Sequence, residues 1–191
     1  MCGFVGFTGL RAEREAILHK MADRIIHRGP DMEGYHLSGD TPQTAVALGF
    51  RRLSIIDLAA GKQPMYNEDG TVVVVFNGEI YNFMQLRTEL QAKGHIFTTH
   101  CDTEVILHGY EEYGTALAAK LRGMFAFVVW DTKTNKMYGA RDIFGIKPFY
   151  YTKTEAGELL FGSEIKSLLE HPGFRREVNP EALRPYLTFQ Y

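Results

Sequence analysis

The second residue of the chain is a cysteine, Cys2, followed by Gly3. A small side chain behind the initiator methionine generally permits removal of Met1, and the chain then begins with a residue that carries two useful groups. Its thiol has an ordinary pKa of about 8.5 and its α-amine one of about 7.7–8.0. The amine can take the thiol proton directly or through one water, so nucleophile and base share a residue and no histidine is required. An ordinary edge-strand cysteine is the alternative, and position alone does not decide between them. The other cysteine, Cys101, has the character of a half-buried structural thiol.

Three further places carry groups suited to acyl-transfer chemistry. Asn77-Gly78-Glu79 follows an apolar, β-branched run at 71–76. An Asn amide next to a Gly N–H supplies two donors with no Cβ in the way, which is what a tetrahedral oxyanion needs. The alternative is a plain Asn-Gly turn. Arg51 and Arg52 lie between apolar stretches, ahead of Leu53-Ser54-Ile55-Ile56. A guanidinium there can fork onto a carboxylate while the extended backbone lines a ligand, and strand alternation lets only one of the two arginines point into a given face. Asp102 can hold a substrate ammonium or cap the helix that follows it.

Composition narrows the field. The 191 residues carry 21 Lys plus Arg against 23 Asp plus Glu, a net charge of -2, so there is no basic footprint for nucleic acid or for anionic lipid. The longest apolar run, at 124–130, is far short of the ~20 residues of a membrane span. The seven histidines show no zinc-site spacing and no HExxH, and there is neither a GxxxxGK[ST] nor a GxGxxG loop. No metal or cofactor is expected in this chain. Two cysteines, without the basic n-region of a signal peptide, point to free thiols and a cytoplasmic setting.

The elements that must position these groups follow from periodicity and turn chemistry. A small-residue strand is expected at 3–8 and an amphipathic helix at 12–27, ended by Arg28-Gly29-Pro30-Asp31. Strands follow at 33–38, 44–50, 52–56 and 71–76, then helices near 81–93 and 102–113, with Phe83, Leu86 and Leu90 on one face of the first. A second block of strands covers 124–131, 136–141, 148–151 and 159–163, and helices at 164–170 and from Asn179-Pro180 close the chain. Hairpin-length connections favour antiparallel pairing. The fold class is α+β, and two antiparallel sheets face to face under outer helices, a four-layer αββα sandwich, would bury the pattern.

Taken together and in order, Cys2-Gly3, His27-Arg28-Gly29-Pro30-Asp31, Arg52-Leu53-Ser54-Ile55-Ile56-Asp57, Gln63-Pro64, Asn77-Gly78-Glu79-Ile80-Tyr81-Asn82, Asp102-Thr103-Glu104-Val105, Gly123-Met124-Phe125-Ala126-Phe127, Arg141-Asp142 and Ser163-Glu164-Ile165-Lys166 resemble the glutaminase domain of class II glutamine amidotransferases. Within that superfamily they look most like the glutamine-hydrolysing asparagine synthetases. The resemblance implies an N-terminal nucleophile hydrolase fold that converts L-glutamine to L-glutamate and ammonia through a Cys2 thioester. It makes Asn77 and Gly78 the oxyanion hole and Arg52 the holder of the substrate α-carboxylate. Leu53, Ser54, Ile55 and Ile56 become pocket backbone and walls, and Glu79 and Asp102 face the α-amino end. Cys101 departs from the small Ser usual before the Asp.

The asparagine synthetases that the sequence resembles continue into an ATP-using domain with an SGGxDS pyrophosphate loop, and no such segment occurs here. Residues 1–175 are therefore expected to form the glutaminase domain and 176–191 to begin the connection to a C-terminal synthetase domain of the same polypeptide, where ATP and Mg would act. Leu183, Tyr186, Leu187 and Phe189 make the last helix apolar enough to dock there. A homodimer is a further partner expectation. Alternatives that stay open are a related amidotransferase with another acceptor and a silent Ntn-like regulatory module; Cys2, Asn77 and Asp102, all present, argue against silence.

Overall fold

The computed structural model describes residues 1–53 and 61–190. The first sheet has the order β2-β3-β1-β9-β8, built from β1 (Gly3–Thr8), β2 (Met32–Ser38), β3 (Val46–Arg52), β8 (Tyr150–Lys153) and β9 (Leu159–Gly162). The second has the order β4-β5-β6-β7, built from β4 (Met65–Tyr66), β5 (Val72–Ile80), β6 (Gly123–Asp131) and β7 (Lys136–Arg141). Every pairing between these strands is antiparallel.

Three apolar clusters divide the molecule into layers. Phe4, Leu48, Phe50 and Phe161 of the first sheet meet Val73, Val75, Val128 and Trp130 of the second. The opposite face of the first sheet, with Val5, Phe7 and Ala47, packs on Ile17, Leu18, Met21 and Ala22 of α1 (Arg14–Asp23) and on Leu168 of α5 (Ile165–Leu168). The opposite face of the second sheet, with Val72, Val74 and Phe76, packs on Leu86 and Leu90 of α2 (Phe83–Ala92) and on Val105, Ile106 and Leu107 of α3 (Thr103–Tyr113). Consecutive strand residues serve alternate layers because the side-chain period of a strand is two. The expected αββα sandwich is the observed one.

Several element boundaries differ from the sequence reading, each for a physical reason. The helix expected over 12–27 stops at Asp23 and tightens into a 3-10 turn, Ile26–Arg28, before Gly29 and Pro30. The short helix α4 (Leu117–Lys120) and the two-residue β4 carry too little periodicity to be read from sequence. The strand expected at 71–76 runs on to Ile80, pairing Asn77 with Ala126 and Gly78 with Phe125. Asn77-Gly78 is therefore not a turn; the β6 ladder overrides the turn preference of the dipeptide. The last helix, α6 (Pro180–Phe189), opens on Asn179, whose side chain accepts the Glu181 N–H at 3.0 Å, and none of its residues is buried.

Gly29 lies where a side chain has no room. A Cβ there would stand 2.4 Å from backbone atoms of Arg51 and Arg52 at the end of β3, so the turn after α1 packs directly on the strand that carries both arginines. Gly29→Ala is expected to cost about 1–3 kcal/mol through overpacking, read as a lower urea midpoint; an unchanged midpoint would contradict the close approach.

Candidate active site

A cleft of about 660 Å³ opens at one end of the two-sheet core. It is lined by Cys2, Arg52, Leu53, Asn77, Gly78, Glu79 and Asp102, and also by Met1, Gln63, Cys101 and Lys147. All the candidate residues within the described part of the chain thus come together. Ser54, Ile55 and Ile56 lie outside the described residues.

Strand alternation explains the convergence. Phe4 faces the inter-sheet layer, and Cys2, two residues earlier, packs against the same layer. Leu48 and Phe50 face it on β3, so the next residue in phase is Arg52. Val73 and Val75 face it on β5, so the next is Asn77. Arg51 is out of phase and turns to the helical layer, where it pairs with Asp23 and, at 2.5 Å, with Glu33. The arginine in the cleft is Arg52.

The backbone of β5 is arranged by the same rule. Phe76 N–H donates to the Gln63 side-chain oxygen at 2.6 Å, and Ile80 N–H donates to Asp102 Oδ2 at 2.9 Å, both at the edge away from β6. Antiparallel strands present alternate residues to each edge, so the Gly78 N–H between them also points to that edge. The Asn77 side chain is 3% exposed, and its Nδ2 has no hydrogen-bond partner among the described residues. A buried amide donor without a partner is costly, which makes this group the natural place for a ligand acceptor.

The chain terminus is held from two sides. Arg28 Nε donates to the Cys2 carbonyl at 3.0 Å, and Arg28 Nη1 pairs with Glu164 Oε1 at 3.1 Å. Burial works against ionisation of Glu164, but hydrogen bonds from Lys166, Arg28 and His27 outweigh it and hold its carboxyl down at about 2. Gly3 admits this packing, since a Cβ there would lie 2.9 Å from Arg28 Cδ. Cys2 Sγ itself is 3.9 Å from the Leu53 carbonyl.

Lys147, only 6% exposed, enters from the far side with its Nζ 3.1 Å from Met1 Sδ. Its loop is fixed by Asp142, whose carboxylate accepts the N–H groups of Phe125, Ile146 and Lys147 at 3.2, 2.9 and 3.0 Å. Arg28 lies in the His27–Asp31 motif and Lys147 in no motif singled out above, and neither has a spacing that marks it as a site residue. Cys101 lines the cleft with its Sγ 3.0 Å from Thr99 Oγ1, and both cysteines are unbridged.

Asp102 does not cap α3 with its side chain; the carboxylate reaches across to β5 instead. Burial pushes it up to about 6, the Ile80 N–H opposing and the charge of Glu79 adding to the rise.

The comparisons with known proteins agree with this geometry. The model of the glutamine amidotransferase domain family matches residues 1–191. The chain is 47% identical to asparagine synthetase [glutamine-hydrolyzing] 1 of Bacillus subtilis, covering all of this chain and 30% of that protein. It is 44% identical to asparagine synthetase [glutamine-hydrolyzing] of Zea mays over 88% of this chain and 28% of that one. It therefore spans under a third of the length of these relatives. Among solved structures, glutamine phosphoribosylpyrophosphate amidotransferase from B. subtilis superposes with a TM-score of 0.70 at 22% identity, over 94% of this chain and 46% of the other, a likeness of fold.

The state of Asp102 is open to direct measurement. Between the ordinary carboxyl pKa of 3.8 and about 6, the folded chain holds a proton that the unfolded chain has lost, so this group makes stability fall as pH rises through that window. The Asp102 side-chain carbon is expected to titrate near 6 by NMR, and Asp102→Asn to remove that part of the pH dependence; a midpoint near 3.8 would show that the carboxyl is not buried as described. With the cleft, its buried donor and the family match in agreement, the chain belongs to the glutamine amidotransferase domain family, as a relative of the glutamine-hydrolysing domain of asparagine synthetases.

Proposed function

We propose that the chain hydrolyses L-glutamine to L-glutamate and ammonia at Cys2, and that within a longer cytoplasmic protein this ammonia supports ATP-dependent conversion of aspartate to asparagine. The observation that carries the proposal is the buried Asn77 Nδ2, without a hydrogen-bond partner among the described residues, in the same cleft as Cys2 and Arg52.

Removal of Met1 frees the Cys2 α-amine and the space that Met1 takes in the cleft. The amine accepts the thiol proton, and the thiolate adds to the substrate amide carbon. Charge moves to the carbonyl oxygen, where Asn77 Nδ2–H and Gly78 N–H donate to it. Collapse breaks the C–N bond, and the leaving nitrogen takes the proton from the α-ammonium and departs as ammonia. Water, deprotonated by the same amine, attacks the γ-glutamyl thioester through a second oxyanion, releasing glutamate and restoring the thiol.

Arg52 binds the α-carboxylate by charge-assisted hydrogen bonds. Asp102 and Glu79 bind the α-ammonium, and an arriving cation draws the Asp102 proton off by favouring the charged form. Leu53 contributes backbone and wall, with Ser54, Ile55 and Ile56 proposed to continue it. The buried Lys147 forms part of the cleft wall beside Met1. ATP and Mg belong to the remaining part of the longer protein, with residues 176–191 beginning the connection to it; no step in this cleft uses them.

Kinetics separates these roles. Cys2→Ala should abolish glutaminase activity with the fold intact. Asn77→Ala should lower kcat by ~10²–10³ with a small change in KM, because its donor matters most once the oxyanion forms. Arg52→Ala should chiefly raise KM; the reverse pattern would mean that the two roles are misassigned. A preparation shown by intact mass to retain Met1 should be inactive, and full activity from it would refute the amine as base.

A further inference from the structure

On the outer helical layer, away from the cleft, two histidines and a set of carboxylates form a cluster that the glutaminase chemistry does not use. His108 and Glu111 lie one turn apart on α3, and His95 comes from the connection between α2 and α3. His108 is six residues beyond Asp102, about 9 Å further along the helix at 1.5 Å per residue, and none of the three lines the cleft.

We propose that His95, His108 and Glu111 form a binding site for a divalent transition-metal ion, with Zn2+ as the best fit, which ties the α2–α3 connection to α3. Glu111 Oε2 stands 3.0 Å from His108 Nδ1 and 3.6 Å from His95 Nδ1. One ligand atom from each of the three residues falls within 4.8 Å of the others. Ligands at about 2.0–2.1 Å from a tetrahedral Zn2+ are roughly 3.3 Å from one another, so the two measured separations bracket the required one.

The surroundings match what metal ligands need. Metal-bound imidazoles usually direct their other nitrogen to a carboxylate, which fixes the ring and raises its basicity. His95 Nε2 faces Glu112 Oε2 at 3.5 Å, and His108 Nε2 faces Glu104 Oε1 at 3.8 Å and Glu68 Oε1 at 3.9 Å. The second oxygen of Glu111 is pinned by Asn67 Nδ2 at 2.6 Å, and Asn67 is itself oriented by accepting the Val72 N–H at 2.9 Å. That leaves Oε2 directed at the two rings. The His108 side chain is 2% exposed and packs against Phe97, with ring centroids 4.6 Å apart, whereas the His95 side chain is 18% exposed and gives the ion its entry. Two imidazoles and a carboxylate suit Zn2+ far better than the all-oxygen cations Mg2+ and Ca2+. Water completes the coordination. Zinc-motif spacing misses the site because His95 and the His108/Glu111 pair are brought together by the fold.

The test is a titration of the chelator-treated chain with Zn2+ by calorimetry and with Co2+ by visible absorption. One equivalent of Zn2+ is expected to bind and to raise Tm. Co2+ should give the strong d–d bands of a four- or five-coordinate nitrogen and oxygen site, without thiolate charge-transfer absorption. His95→Ala, at the more accessible ligand, should weaken binding by at least about tenfold, and Glu111→Gln should do the same, while metal-free Tm and glutaminase activity stay near those of the parent in His95→Ala. No binding, binding that survives His95→Ala, or a thiolate band placing the metal on Cys2 or Cys101 would each overturn the assignment. Glutaminase activity without metal leaves the reading of the cleft untouched, so the two proposals fail separately.

Discussion

The strict alternation of side chains along the strands that enclose the inter-sheet core is the constraint on which the rest of the molecule depends. Phe4, Phe50 and Val75 are buried between the sheets. Two residues beyond each of them, toward the same end, stand Cys2, Arg52 and Asn77, and all three line one cleft. The apolar layer that stabilises the sandwich thus also sets which face these groups present, and a slip of one residue in any of the three strands would turn its functional side chain toward a helix. Arg51 shows what that slip would do: out of phase with Phe50, it is used up against Asp23 and Glu33.

Side chains of both charges line the cleft. Arg52 and the buried Lys147 bring positive charge, and Asp102 and Glu79 bring negative charge on the β5 side. The carboxyls are treated oppositely by their surroundings. Glu164 is held ionised by hydrogen bonds from Lys166, Arg28 and His27, anchoring Arg28 and through it the Cys2 carbonyl, whereas burial raises Asp102 against the backbone N–H groups it meets, that of Ile80 first among them. The first is held charged; the second is pushed toward its neutral form.

Much of this was legible in the sequence where pattern and geometry coincide. The spacing of Phe83, Leu86 and Leu90 marked α2, and the β-branched run marked β5. Alternation allowed only one of Arg51 and Arg52 to face a given side, although nothing in the local sequence said which. Other features were hidden because they depend on partners far along the chain. Asn77-Gly78 looks like a turn until β6 is brought alongside, and Asp102 looks like a helix cap until Ile80 supplies a competing N–H. Arg28 and Lys147 gain their places from contacts across 26 and 146 residues of sequence. The His95, His108 and Glu111 cluster, likewise, is made by folding a loop back onto a helix.

The most direct test of the central claim, that strand register builds a glutamine site around Cys2, is a crystal structure of the Cys2→Ala chain, processed at its N-terminus, with L-glutamine bound. The carboxamide oxygen should lie within hydrogen-bonding distance of Asn77 Nδ2 and Gly78 N, with the α-carboxylate on Arg52 and the α-ammonium against Asp102. Glutamine bound in the opposite sense, with its carboxamide at Arg52, or bound outside this cleft, would contradict the account.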